Sequence, residues 1–355
     1  MGALKATDVR LLVLCVVLAA ATGVLDAHPI GKVLPFAVAG LALAALASLV
    51  GTCVDALGDR LGAGATGVIQ SALGNLPELF VCLFALQKGL DDVVRGAIVG
   101  SVLSNVLLVL GLAFVCGGLK HGPQRFNADR ARSIGLLLLL AVSALLLPAL
   151  TAALHSPAQG HEVALSRIVA VVLLLLFVLS LPAALRRAPG EPSAEEDFSG
   201  EVHSWPLWLA IGLLAVAGLG AALVSDWFVN ALTPATDSLG LSQTFAGLIV
   251  VSIAGNAVEN VVGIQLALRG RADYALSVIL QSPLQIVLVL APVLVLVSPL
   301  VGATFTLVLS PLLVAVLLIA VLVTVVVTFD AESTWLEGAA LLGLYVISGA
   351  AFLWG

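Results

Sequence analysis

Charge is scarce in this chain. Only 10% of the 355 residues are Asp, Glu, Lys or Arg, where a soluble domain carries about 25%. With 61% hydrophobic residues as well, a water-facing globule is excluded. Basic residues are the scarcer sign, 15 against 21 acidic for a net charge of -6. That leaves no basic patch of the kind that holds nucleic acid, which is excluded as a partner. Cysteine is limited to Cys15, Cys53, Cys82 and Cys116, each alone in an apolar run. Without the paired spacing of a metal site or disulfide framework they read as packing residues. The five histidines (His28, His121, His155, His161, His203) fall in or beside loops, apart from one another, and read as solvated or interfacial rather than ligating. No HExxH zinc motif and no G-x-S-x-G elbow occurs, and the deep acids are single glutamates rather than an aspartate pair, so the chain does not read as an intramembrane enzyme. No cofactor is expected.

What the sequence has in abundance is long apolar runs. A membrane-crossing helix needs roughly 20 predominantly apolar residues. Cutting at charged and Pro/Gly-rich breaks gives eleven stretches, near 10–26, 33–57, 64–88, 91–118, 128–152, 163–186, 204–230, 241–268, 272–298, 302–328 and 334–354. The expected fold is an all-α membrane protein: an N-terminal transmembrane helix (1–30), a first repeat (31–187), an acidic linker (188–203) and a second repeat (204–355), each repeat of five helices. An N-terminus in the cytoplasm puts Lys5, Arg10, Arg60, Lys120, Arg125, Arg130, Arg132, Arg186, Arg187, Arg269 and Arg271 inside, and only Lys32, Lys88, Arg95 and Arg167 outside. The positive-inside rule selects that orientation, with the C-terminus outside. The first span also has the make-up of a signal peptide, Lys5 and Arg10 preceding an apolar run that ends in small residues. Cleavage of residues 1–28 would leave the other ten spans oriented as before. The linker, with Glu191, Glu195, Glu196, Asp197 and Glu201, reads as a solvated hinge or a cation-attracting surface.

Shifted by 181 residues, GNLPELFVCLFALQKGLDD (74–92) aligns without a gap on GNAVENVVGIQLALRGRAD (255–273), with Gly74/Gly255, Asn75/Asn256, Glu78/Glu259 and Asp92/Asp273 among the identities. Such self-similarity marks a duplicated unit. Glu78 lies in the third span and Glu259 in the eighth, so the two copies cross the membrane in opposite senses, the inverted-repeat plan of secondary transporters. Each Glu precedes the next charged residue, Lys88 or Arg269, by ten positions, about 15 Å of helix, which places both carboxylates near the bilayer centre. An ionisable group there costs roughly 2.5 to 3.5 kcal/mol even on lenient scales, and a matched pair calls for a function.

Helical spacing puts Ser71, Asn75 and Glu78 on one face and Ser252, Asn256 and Glu259 on the matching face; these are the expected metal ligands. Gly74 and Pro77 should break the helix just before Glu78 and free carbonyls, while the second copy has Val258 in place of proline and must rely on Gly255. The next spans add Ser101, Ser104 and Asn105, then Gln281, Ser282 and Gln285, for which ion contact and interhelical hydrogen bonding are equal readings. Such an all-oxygen set suits a hard cation, Ca²⁺ above all. Two carboxylates close together in a dry pocket cannot easily both ionise when empty, so protons occupy the site until a divalent cation displaces them. Competition of this kind, with alternating access, makes an antiporter.

At these residues the sequence resembles the Ca²⁺/cation:proton antiporters, a branch of the calcium:cation antiporter superfamily. The likeness covers roughly 50–300 and rests on the paired Gly-Asn-x-x-Glu motifs, with the stretches 74–127 and 225–300 similar to that family's two repeats. Sodium/calcium exchangers are expected to carry Gly-Thr-Ser before the acid, so Gly-Asn favours the proton-coupled branch. The resemblance implies that Glu78 and Glu259 carry cation and protons, with Asn75 and Asn256 beside them. It further implies that Asp55 and Asp226 are acids at aqueous entrances. Departures are Asn260 where the family has His, Gln281-Ser282-Pro283-Leu284-Gln285 for Gly-Ser-Ser-Leu-Gln, and Gln70 and Ala72 for Asn and Thr; they bear on selectivity and proton stoichiometry. Na⁺/H⁺, K⁺/H⁺ or Na⁺/Ca²⁺ exchange, and a channel or membrane scaffold, are the competing readings. The expected location is the plasma membrane of a bacterium, with no appended regulatory domain.

Overall fold

The structure is a computed structural model that describes residues 5–61, 73–154, 160–185 and 205–353; of residues 58–61, 182–185 and 257–259 the backbone alone is described. The chain is helical almost throughout. In order the helices are α1 (Ala6–Ala27), α2 (Val33–Leu61), α3 (Leu76–Gln87), α4 (Asp91–His121), α5 (Ala128–Ala153), α6 (Glu162–Leu185), α7 (Leu207–Leu239), α8 (Gln243–Gly255), α9 (Ala257–Leu268), α10 (Ala272–Val301), α11 (Pro311–Val327) and α12 (Trp335–Ala351). Among the described residues the one exception to an all-α fold is a two-residue antiparallel bridge, β1 (Gln124–Arg125) on β2 (Glu332–Ser333).

Among the described residues seven of these helices are long and apolar enough to cross a membrane, α8 and α9 make an eighth when the pair, bent by 62° at its break, is taken as one span, and α3, α11 and α12 are shorter apolar helices. The protein is an integral membrane protein. Burial sorts the helices into a centre and a rim: the apolar window of α4 is 83% buried, those of α1, α6 and α7 only 22%. The rim helices turn Val13, Val17, Val171, Leu175, Leu219 and Leu223 outward, the side chains that lipid replaces water around.

Two boundaries differ from the sequence expectation. Helix α7 runs on through Pro234 to Leu239. The tenth span begins only at Pro311, because residues 303–310 form no helix. Gly302, at φ +77°, ends the 3₁₀ turn Ser298–Val301, and Ser310 caps α11, its hydroxyl accepting from Leu313 N at 3.3 Å. This non-helical segment buries Phe305, Leu307 and Leu309, and Leu307 N donates to Ser166 Oγ at 3.1 Å. That alternation is a strand-like period of two, which hydropathy alone does not separate from a helix.

At the centre, α4 crosses α8 at backbone contact. Gly100 faces the Leu248 carbonyl, and a Cβ on Gly247 would overlap the Val93 carbonyl and lie 2.9 Å from Ala97 N. Small residues permit such approach between membrane helices. Three π-helical turns mark the same region, Ser104–Val109 in α4, Ala246–Val251 in α8 and Ile286–Leu290 in α10. The first and third are related by the 181-residue repeat. A π turn frees a carbonyl from the helical ladder, and at the first of them Thr324 Oγ1 reaches Val106 O at 3.3 Å.

Candidate functional site

Both motif helices are broken where the sequence places the Asn. Asn75 (φ -93°, ψ 18°) and Asn256 (φ -101°, ψ 21°) take nearly the same non-helical conformation, and α3 and α9 start at the next residue. In the first copy Pro77, near the start of α3, suits a position whose N–H has no helical partner. The second copy breaks without it. Glu78 thus stands in the first turn of α3, where the helix N-terminus favours negative charge.

Glu78 is buried, at 2% exposure, and Ser101 Oγ donates to its Oε1. Gly255, from the other repeat, packs on the same side chain: a Cβ there would be 3.5 Å from Glu78 Cβ and Cδ. Asn256 is fully buried, and its Oδ1 accepts from Asn105 Nδ2 and from Ser282 Oγ, each at 3.2 Å. Asn105 Nδ2 also donates to Ser101 O at 2.9 Å, and Asn256 Nδ2 to Ser252 O at 2.9 Å. A polar chain therefore runs from Glu78 through Ser101 and Asn105 to Asn256 and Ser282, passing from the first repeat into the second. Asn105 Oδ1 and Ser104 Oγ are buried there without a hydrogen-bond partner, oxygens open to a cation. A cavity of about 10 Å³, the room of roughly one water, is lined by Leu43, Pro77, Glu78, Val81, Phe228, Val251, Ala254 and Gly255.

Of the expected ligands Glu78 and Asn256 converge on this chain, joined by Ser101, Asn105 and Ser282, for which ion contact and hydrogen bonding are equal readings of the sequence. Ser252 is buried next to it and donates to Leu248 O at 2.6 Å. Asn75 is half-buried at the break, Gln285 half-buried in α10, and Asp55 half-buried on α2. Asp226 is drawn away to the ammonium of Lys88 at 3.0 Å, with 43% of its side chain exposed. Ser71 lies outside the described residues, and Glu259 is described by its backbone alone, three residues past the Asn256 break. Of the departures, Gln281 is exposed, Pro283 is buried inside α10, and Asn260 is half-buried with Oδ1 unpaired. The aromatic wall has no sequence signal: Phe228 lines the cavity and stacks on Phe36 at 4.8 Å, and nothing in the spacing of either residue pairs them. Among the described residues no three His, Cys, Asp or Glu side chains gather.

The family described as sodium/calcium exchanger protein matches the chain twice, over residues 32–185 and 209–354. The chain belongs to that family. Within it, the chain is 35% identical over 341 residues to a Ca²⁺/H⁺ antiporter of Synechocystis sp., covering 91% of both. It is 34% identical to the Ca²⁺/H⁺ antiporter ChaA of Bacillus subtilis, covering 89% of this chain and 91% of the relative. The solved structure of native YfkE superposes with a TM-score of 0.82 at 29% identity, over 97% of this chain and 99% of that one. In this sodium/calcium exchanger family member, then, the fold of a solved exchanger carries a buried glutamate at the junction of two repeats.

Proposed function

We propose that the protein exchanges Ca²⁺ for protons across the membrane by alternating access, with Glu78 and Glu259 holding the cation or protons in turn. The single observation that carries this is the setting of Glu78, buried, hydrogen-bonded to Ser101 and packed against Gly255 of the opposite repeat. A carboxylate so placed is stable when protonated or when a cation neutralises it, and costly when neither holds. Its relatives named Ca²⁺/H⁺ antiporters support Ca²⁺ and H⁺ as the pair exchanged. The Asn105 and Asn256 amides with Ser101 and Ser282 supply neutral oxygens, the set a hard cation prefers. Asn75, Ser252 and, by the repeat, Ser71 and Glu259 complete it.

The protein acts as a transporter and not as an enzyme, and needs no cofactor. It sits in the plasma membrane of a bacterium with its N-terminus in the cytoplasm, as its basic residues dictate. The acidic linker at 188–203 lies outside the described residues. Purified protein in vesicles, given an imposed proton gradient, should accumulate Ca²⁺. Glu78→Gln and Glu259→Gln should each abolish that uptake, and undiminished uptake in either variant would reject the assignment.

A further inference from the structure

At the C-terminal end of α3 the chain reaches out of its own repeat. The Lys88 ammonium donates to Asp226 Oδ1 at 3.0 Å, to the Asp226 carbonyl at 3.4 Å and to Asn230 Oδ1, both residues of α7. Asn230 Nδ2 donates in turn to Asp26 Oδ1 at 3.5 Å, at the end of α1. The same stretch of α7 touches the cavity: Phe228 lines it, and Ser225 Oγ donates at 3.5 Å to the carbonyl of Pro77, the residue before Glu78. One short segment of α7 thus covers the Glu78 cavity and is held by the cation at the far end of the Glu78 helix.

The opposite motif helix is tied differently. Lys120 Nζ and His121 Nε2 each meet Leu268 O at 2.9 Å, and Gln124 Nε2 donates to Ala267 O at 3.3 Å. These groups of the first repeat cap the last carbonyls of α9, where cations and donors are favoured. Each motif helix is therefore fastened to the other repeat at its C-terminal end, α9 through its carbonyls and α3 through an ion pair. The partners of that ion pair are 33% and 43% exposed, and so exposed a pair is weak. Weakness suits a contact that must break and re-form in each transport cycle.

We propose that Lys88 is the latch of the mouth on its side of the membrane: it holds α7 over the Glu78 cavity, and opening toward that side requires it to release Asp226 and Asn230. The inference rests on the exchange reading above, since a latch matters only where access alternates. Asp226 is then the acid of that entrance, with the tethered ammonium occupying it in the closed state.

Labelling tests this without measuring transport. Val81, a buried cavity residue, is changed to Cys in a chain whose four native cysteines are alanine, and a membrane-impermeant thiol reagent is applied to either face of oriented vesicles. Lys88→Met should speed modification about fivefold from the Lys88 face alone, the scale of one exposed ion pair. Asp226→Asn should do the same. Exchanging the charges, Lys88→Asp with Asp226→Lys, should restore the slow parent rate. An unchanged rate in either single variant, acceleration from both faces, or an exchanged pair as fast as the single variants overturns the latch. Labelling as expected in a protein that moves no Ca²⁺ would keep the latch and discard the cargo.

Discussion

Gly255 of the second repeat lies against Glu78 of the first, close enough that a methyl group at 255 would touch Glu78 Cβ and Cδ at 3.5 Å. That is ordinary van der Waals separation, so one methyl group fits and a larger side chain enters the cavity. Gly255→Ala should fold and retain most of its exchange activity. Gly255→Leu should fold but lose activity by at least about tenfold, because a side chain then occupies the room of roughly one water. Vesicle uptake with a detergent-solution folding check separates the two variants.

The crossing of α4 and α8 allows a sharper steric prediction. At Gly247 an added Cβ meets the Val93 carbonyl and Ala97 N, which are backbone atoms and cannot rotate away. Overpacking of this kind costs about 1 to 3 kcal/mol or more, so Gly247→Ala should lower the thermal midpoint of the purified protein markedly. Gly212, on the rim helix α7, has nothing within 4 Å of its added Cβ. Gly212→Ala should leave the midpoint unchanged or slightly raised. Equal midpoints for the two variants would contradict the packing described here.

Competition between cation and protons fixes the sign of the pH dependence. Ligands must lose protons to hold the metal, so raising the pH strengthens apparent Ca²⁺ binding and lowering it weakens binding. Each displaced proton steepens the response by about tenfold in affinity per pH unit. Equilibrium Ca²⁺ binding to the purified protein should show this slope, and Glu78→Gln should bind Ca²⁺ more weakly with a shallower slope. A pH-independent affinity in the parent protein would mean that protons and Ca²⁺ do not share a site.

The features legible in sequence were those that depend on local pattern. Apolar length marked the spans, the 181-residue repeat marked Asn75 and Asn256 as equivalent, and both do break their helices with nearly the same dihedral angles. The break without proline is expected of Gly255 alone, and it falls one residue later, at Asn256. What was not legible depends on partners far apart in the chain. The Asn105–Asn256 hydrogen bond joins residues 151 apart, and the Lys88–Asp226 pair joins residues 138 apart. Lys88 looked like a span-end charge, because hydropathy registers where a cation stands and not which carboxylate it finds. The non-helical segment at 303–310 reads as helix in sequence for a related reason: its buried Phe305, Leu307 and Leu309 supply apolar length, while the turn chemistry of Gly302 and Ser310 ends one helix and starts the next.

In the proposed mechanism Glu78 and Glu259, one from each repeat, close on a single cation. Crystals soaked in Sr²⁺, a heavier analogue of Ca²⁺ with measurable anomalous scattering, test it directly. One anomalous peak is expected beside Asn256, with carboxylate oxygens of both glutamates at about 2.6 Å, near the upper end of Ca²⁺–oxygen distances. A peak held by only one of the two carboxylates, or two separate peaks, would contradict it.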